Sequence, residues 1–294
     1  MRQTIPALIK TMRLRQWMKN VLLFTALIFD QQLTNLPALL NILAGFFLFS
    51  LVASTVYIIN DLADLEADQQ HPKKRLRPIA SGSLSAKSAQ TMAVILLLIT
   101  LPLSYLLEPA FALVVFGYLI LNLAYSKWLK HIPLIDVFVL ASFYVLRVVA
   151  GVSLIEVARF SPWLYVVTTL LALYIGLGKR RAELALLADG ANAHRKVLEG
   201  YTIPLLDQFI TIVSATTIVA YSLYTFSAAN LPQNHSMMLT IPFAIYGIFR
   251  YLYLLQMKFS GGSPEDVLLT DRPLQIAIIL WGLAVVTIFY ILPD

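Results

Sequence analysis

Cysteine is absent from the 294 residues. That excludes disulfides, thiolate zinc sites and cysteine nucleophiles. Histidine is scarce too: the four (His71, His131, His194, His235) are scattered and form no pair at helical zinc-binding spacing. Charge is the third shortage. Only 13% of the residues are Asp, Glu, Lys or Arg, about half the usual globular share. With 59% hydrophobic residues and a mean hydropathy of +0.76, this is an all-α, polytopic membrane protein.

Apolar runs predict nine transmembrane helices, at about 17–34, 39–60, 88–107, 110–128, 133–155, 162–182, 207–228, 238–257 and 274–292. No soluble segment separates them, so residues 1–294 read as one transmembrane domain. The basic N-terminal stretch has no small-residue cleavage site after its apolar run, which predicts a first membrane helix and not a removed signal. Of 22 Lys and Arg, only Arg159 falls in an outer loop, and Arg147 falls inside a span. The positive-inside rule then places the N-terminus and every even-to-odd loop in the cytoplasm, with the C-terminus outside the plasma (inner) membrane. The net charge of +6 is this asymmetry, and no nucleic-acid partner is needed to explain it.

The few acids are concentrated. Asn60-Asp61-x-x-Asp64-x-x-x-Asp68 closes the second apolar run, and His71, Lys73, Lys74, Arg75 and Arg77 follow at once. At about 100° per residue, the three Asp share one helical face. Carboxylates so crowded repel one another unless a cation sits among them, and hard oxygen donors suit Mg2+. Acids that hold a metal, beside cations that hold phosphate oxygens, describe a site for a diphosphate leaving group. The competing reading is a solvated charged loop.

A second charged block ends the sixth span: Gly176-Leu-Gly178-Lys179-Arg180-Arg181-Ala-Glu183. By the span count it falls on the cytoplasmic side, as the acidic motif does, which predicts two halves around a cytoplasm-facing cavity. Lys179 and Glu183 stand at i,i+4, a helix-surface ion-pair spacing. Arg147, deep in span five and three turns from Asp136, reads either as the partner of an acid or as a phosphate contact. Asp207 is expected to cap or open span seven. Gly261-Gly262-Ser-Pro264-Glu265-Asp266 predicts a loop leading into a short helix.

The chain resembles the UbiA superfamily of intramembrane prenyltransferases through Asn60-Asp61-x-x-Asp64-x-x-x-Asp68, the motif that binds Mg2+ and a diphosphate in that family. It departs at the second site, where a typical aspartate-rich motif is replaced by Lys179-Arg180-Arg181-Ala-Glu183. That departure is similar to the decaprenyl-phosphate phosphoribosyltransferase branch. So are Arg15-Gln-Trp17-x-Lys19-Asn20, His71-Pro72-x-Lys74-x-x-Arg77-Pro78-Ile-Ala-Ser81-Gly82, Tyr125-Ser-Lys-x-Leu-Lys130-His131, Leu146-Arg147-x-x-Ala150-Gly151 and Leu269-Thr-Asp271-Arg272-Pro273.

The resemblance implies transfer of 5-phosphoribosyl from phosphoribosyl pyrophosphate (PRPP) to a polyprenyl phosphate, releasing pyrophosphate, in cell-envelope synthesis. It assigns Asp61, Asp64 and Asp68 to the metal. Lys179, Arg180 and Glu183 join the catalytic set, with Glu183 facing a ribose hydroxyl or the metal shell. Asn60, His71, Lys73, Lys74, Arg77, Lys19, Tyr125, Lys130 and Arg147 become substrate contacts. Charge counting points the same way, because PRPP and a lipid phosphate carry three anionic groups where a prenyl diphosphate carries one. An aromatic prenyltransferase using an isoprenyl diphosphate is the alternative, and an anion transporter the third reading.

Overall fold

The computed structural model describes residues 4–71, 74–157, 162–188, 196–228, 230–257, 267 and 270–292. Its regular elements are all helical among these residues, as the sequence predicts. They are α1 (Thr4–Thr11), a 3-10 segment (Leu14–Leu23), α2 (Phe24–Phe29), α3 (Leu36–Ala63), α4 (Leu65–Gln70), α5 (Ala86–Leu107), α6 (Pro109–Lys127), α7 (Ile135–Val152), α8 (Pro162–Ala188), α9 (Ile203–Ser227), α10 (Ile241–Met257) and α11 (Arg272–Tyr290), with short 3-10 turns between some of them.

Eight helices among the described residues are long and apolar enough to cross a membrane. This is a multi-pass membrane protein. The predicted span at 17–34 is not a regular α-helix. It divides into the ten-residue 3-10 segment and the six-residue α2. At about 2.0 and 1.5 Å per residue the two together rise roughly 29 Å, comparable to a hydrocarbon core. Lys73, the outer-loop Arg159 and the predicted helix start at Gly261–Asp266 lie outside the described residues.

Sequence-encoded caps fix several helix starts. The side chains of Asn35, Ser85, Thr202 and Asp271 accept from the backbone N–H three residues on, at α3, α5, α9 and α11. Pro follows within the first turn of α3, α9 and α11, where its missing N–H leaves no bond unmade. Thr202 takes the cap expected of Asp207, which lies a turn further in.

The chain divides into two compact units. The first holds the described residues of Met1–Ile28, Gln32–Lys127 and Leu146–Val157. Here α3 packs against α1, the 3-10 segment, α5 and α6. A buried cluster of Ala7, Ile58, Ile79, Leu84, Ala89, Ala93 and Leu96 lies under the loop that follows α4. The second unit holds the described residues of Phe29–Gln31, Trp128–Val145 and Ala158–Asp294. There α8 packs on α9 and α10, and α10 on α11. Its core includes Val137, Tyr174, Leu177, Leu206, Ile210 and Leu254. Large apolar side chains such as Leu98, Leu106 and Leu113 are exposed, as lipid-facing positions require.

Candidate functional site

The last two turns of α3 carry Tyr57, Asn60 and Asp61. The helix then breaks at Asp64 (φ −94°, ψ 10°), which both ends α3 and opens α4. The uninterrupted helix assumed for the acidic motif is therefore two helices. An Asp at the break suits this, because its short side chain competes with the backbone and favours helix ends. Asp61 and Asp68 stay close despite the break. Their side chains are only 3% and 2% exposed, whereas Asp64 is half-buried.

Cations fill the space between the two buried acids. Arg77 Nη1 donates to Asp61 Oδ1 at 3.1 Å and to Asp68 Oδ2 at 2.5 Å. Arg13 Nη2 donates to the same Asp61 Oδ1 at 2.5 Å, and the Lys74 ammonium stands 3.9 Å from Asp68 Oδ1. Asn60 Oδ1 accepts from Ser126 Oγ at 2.7 Å, one residue beyond the half-buried Tyr125. His71 Nδ1 accepts from the Lys74 backbone N–H at 3.2 Å, which fixes the turn carrying Lys74.

The loop after Arg77 aims this guanidinium. The Ser81 N–H donates to the Arg77 carbonyl at 2.8 Å, while the Leu84 N–H and the Ser81 and Ser83 hydroxyls converge on the Pro78 carbonyl. Gly82 turns the chain at φ +76°, a conformation that favours glycine. The Arg77-Pro78-x-x-Ser81-Gly82 pattern thus builds a rigid hook for one side chain.

In the sequence Arg13 is marked only as part of the basic N-terminal stretch. It occupies the left-handed region (φ 52°, ψ 54°) between α1 and the 3-10 segment, and its guanidinium lies 4.7 Å from the Tyr57 ring centroid. The signal for it was weak: one arginine among five cations near the start of the chain.

A 3-10 helix repeats every three residues, so Trp17, Asn20 and Leu23 share a face. Trp17 Nε1 donates to Ser54 Oγ (3.0 Å) and Asn20 Nδ2 to Ser50 Oγ (2.8 Å), both on α3. Arg147 Nε donates to Asn20 Oδ1 (2.8 Å) and Arg147 Nη2 to Tyr118 OH (3.2 Å), with the Phe49 ring below the guanidinium. Arg147 is 3% exposed. These bonds tie the 3-10 segment to α3, α6 and α7. Gly151 completes the join, since a Cβ there would sit 2.1 Å from the Leu23 carbonyl oxygen. Lys19 lies half-buried on the same segment.

In the second unit, Arg180 is fully buried. Its Nε donates to Asp136 Oδ2 at 2.5 Å and its Nη1 to Glu183 Oε2, one turn along α8. Tyr201 OH donates to Asp136 Oδ1 (2.7 Å) and accepts from the Leu134 N–H (2.6 Å). Burial, reinforced by its bond to Asp136, raises the Tyr201 phenol above its ordinary value and keeps it protonated. Lys179 and Lys130 are half-buried. Arg181 pairs with Asp207 at 2.5 Å, and Arg250 holds Asp271 through two bonds of 3.1 and 2.9 Å. Gly178 lets α8 approach α10, because a Cβ would meet Leu255 at 2.8 Å and the Tyr251 hydroxyl at 3.0 Å.

The structure thus brings Asn60, Asp61, Asp68, Lys74 and Arg77 into one group in the first unit, and Arg180 and Glu183 into another in the second. Among the described residues, no three acids or imidazoles stand together as a ready metal cage. The two that converge, Asp61 and Asp68, are buried, carry hard oxygen donors and already share a cation. That chemistry fits a divalent ion.

A model of the UbiA prenyltransferase family matches residues 21–262. The chain belongs to that family. A decaprenyl-phosphate phosphoribosyltransferase of Mycobacterium tuberculosis is 36% identical over 282 residues, covering 94% of this chain and 92% of the relative. A protein of the same name from Corynebacterium glutamicum is 34% identical, covering 97% and 87%. Among solved structures, a UbiA homologue from Archaeoglobus fulgidus bound to DMAPP and Mg2+ superposes with a TM-score of 0.72 at 21% identity, over 96% of this chain and 99% of that one. The UbiA fold is common to both.

Proposed function

We propose that this UbiA-family protein transfers 5-phosphoribosyl from PRPP to a polyprenyl phosphate of decaprenyl type, releasing pyrophosphate, with Mg2+ as cofactor. The observation that carries the reading is the likeness, over nearly the whole chain, to relatives named for that transfer. The mixed cluster on α3 and α4 supports it. Buried acids beside Arg13, Lys74 and Arg77 suit a substrate that brings both a metal-bound diphosphate and a further phosphate.

In this reading Asp61, Asp64 and Asp68 hold Mg2+, which when bound neutralises charge on the diphosphate. Lys73, Lys74 and Arg77 take donor phosphate oxygens, and His71 orders the Lys74 turn. Asn60, fixed by Ser126, orients the ribose. An oxygen of the lipid phosphate attacks C1 of the ribose, the bond from C1 to the pyrophosphate oxygen breaks, and pyrophosphate carries the electron pair away. The lipid phosphate is already an anion at neutral pH, so no general base is required. Catalysis is positioning plus stabilisation of charge. Lys179 and Glu183 contact substrate, and Arg180 positions Glu183. Lys19, Tyr125 and Lys130 complete the substrate contacts, and Arg147 positions the 3-10 segment through Asn20. The positive-inside pattern puts the N-terminus and the Asp68–Arg77 loop in the cytoplasm, at the plasma membrane.

The second reading, an aromatic prenyltransferase, draws on two A. fulgidus UbiA homologue structures, one bound to DMAPP and one to GPP. One experiment separates the two. The purified protein in lipid nanodiscs is given Mg2+, polyprenyl phosphate and PRPP labelled in the ribose. A labelled lipid, formed with pyrophosphate, supports the proposal. Indifference to PRPP, with turnover of an isoprenyl diphosphate onto an aromatic acceptor, overturns it.

A further inference from the structure

We infer that Arg13, which lies outside the acidic motif, is a positioning residue that together with Arg77 serves as a stand-in cation on Asp61 and must yield part of that carboxylate when a divalent ion arrives. The inference rests on the metal reading above and extends it to a residue to which that reading assigns no individual role.

Asp61 Oδ1 receives two N–H donors, from Arg13 at 2.5 Å and from Arg77 at 3.1 Å. A carboxylate oxygen has two lone pairs, so both are engaged. A metal ion cannot coordinate that oxygen while both guanidinium groups remain. Arg77 is tied as well to Asp68, and its loop is hooked through Ser81 and Gly82.

Arg13 is held differently. It stacks on Tyr57, one turn before Asp61 on α3, and its backbone sits in a left-handed conformation that a non-glycine residue adopts at a cost. Its side chain is 30% exposed against 3% for Asp61. It therefore has open space to move into while remaining over the Tyr57 ring. A buried carboxylate without a cation is unfavourable. The two arginines supply that cation before the metal does, so they compete with it.

The test measures Mn2+, an EPR-visible hard divalent ion, on the full chain in nanodiscs without substrate. Arg13→Gln should bind Mn2+ roughly fivefold more tightly or better, because a competing unit charge a few ångströms from the ion is gone. Its metal-free melting temperature should fall, and its Mn2+-induced rise should exceed that of the wild type. If Arg13 merely stitched the N-terminal helices to α3, stability would drop while Mn2+ affinity stayed put. An unchanged or weaker affinity in Arg13→Gln overturns the inference. Should that variant not fold, Arg13→Lys carries the test: it keeps the charge but gives up the fork, and its affinity should rise by roughly two- to threefold. No rise there overturns the inference equally. Failure of the wild type itself to bind Mn2+ saturably removes the metal reading, and this inference with it. Asp61→Asn, expected to lose Mn2+ binding, marks the site.

Discussion

One nitrogen of Arg77, Nη1, bonds both Asp61 and Asp68, two acids seven residues apart that a helix break would otherwise separate. Its two hydrogens suffice for both bonds. Arg77→Gln leaves both acids with less compensation. The metal-free protein should lose roughly 1–3 kcal/mol of stability, less than a fully buried pair would cost because Arg77 is partly exposed. Thermal unfolding in nanodiscs measures this. Added Mg2+ should restore more stability to the variant than to the wild type.

Asp61→Ala and Asp64→Ala should each reduce ribosyl transfer far more than tenfold, since the stabilisation of the departing pyrophosphate is lost. The assay is labelled PRPP with polyprenyl phosphate at saturating Mg2+. Near-normal rates in either variant would falsify the metal assignment. Chelation by EDTA should silence the wild type reversibly.

Arg180 and Asp136 form a fully buried pair. Arg180→Met strands a buried carboxylate and should cost about 3–5 kcal/mol. Arg180→Met with Asp136→Leu should be milder than the single change, and a double-mutant cycle should report strong coupling. Additive effects would show that the pair is not energetically linked.

Gly151→Ala should destabilise by several kcal/mol, because its Cβ would meet backbone and not a movable side-chain tip. Gly117→Ala and Gly282→Ala, where a Cβ meets nothing within 4 Å, should be close to neutral. Melting temperatures of the three variants decide this.

Much of this was legible in the sequence. Long apolar runs placed eight helices, most ends to within four residues and the end of α8 six residues short, because a span must be long, apolar and helical. The acidic motif predicted three Asp on one helical face; the structure bridges Asp61 and Asp68 through Arg77, while Asp64 sits at the helix break and no group of three acids forms among the described residues. Three features were not legible. An apolar run near 17–34 shows length but not helix type, so the 3-10 segment read as an ordinary span. Arg13 depends on one left-handed residue, and Arg carries no preference for that conformation as Gly does. Arg180 and Glu183 showed charge but not direction. In a membrane helix apolar on most sides, periodicity does not say which residue faces inward, and Asp136, which the spacing set near Arg147, pairs with Arg180.

The 3-10 segment changes the rules for insertion and loss near the start of the chain. Each residue there turns the helix by about 120° and not 100°. Removing one residue between Trp17 and Leu23 would swing Asn20 away from Ser50 and Arg147 by a third of a revolution. Adding three would return every side chain to its bearing but lengthen the rod by about 6 Å. Length changes tolerated in this stretch should therefore come in threes, where an ordinary membrane helix would accept three or four.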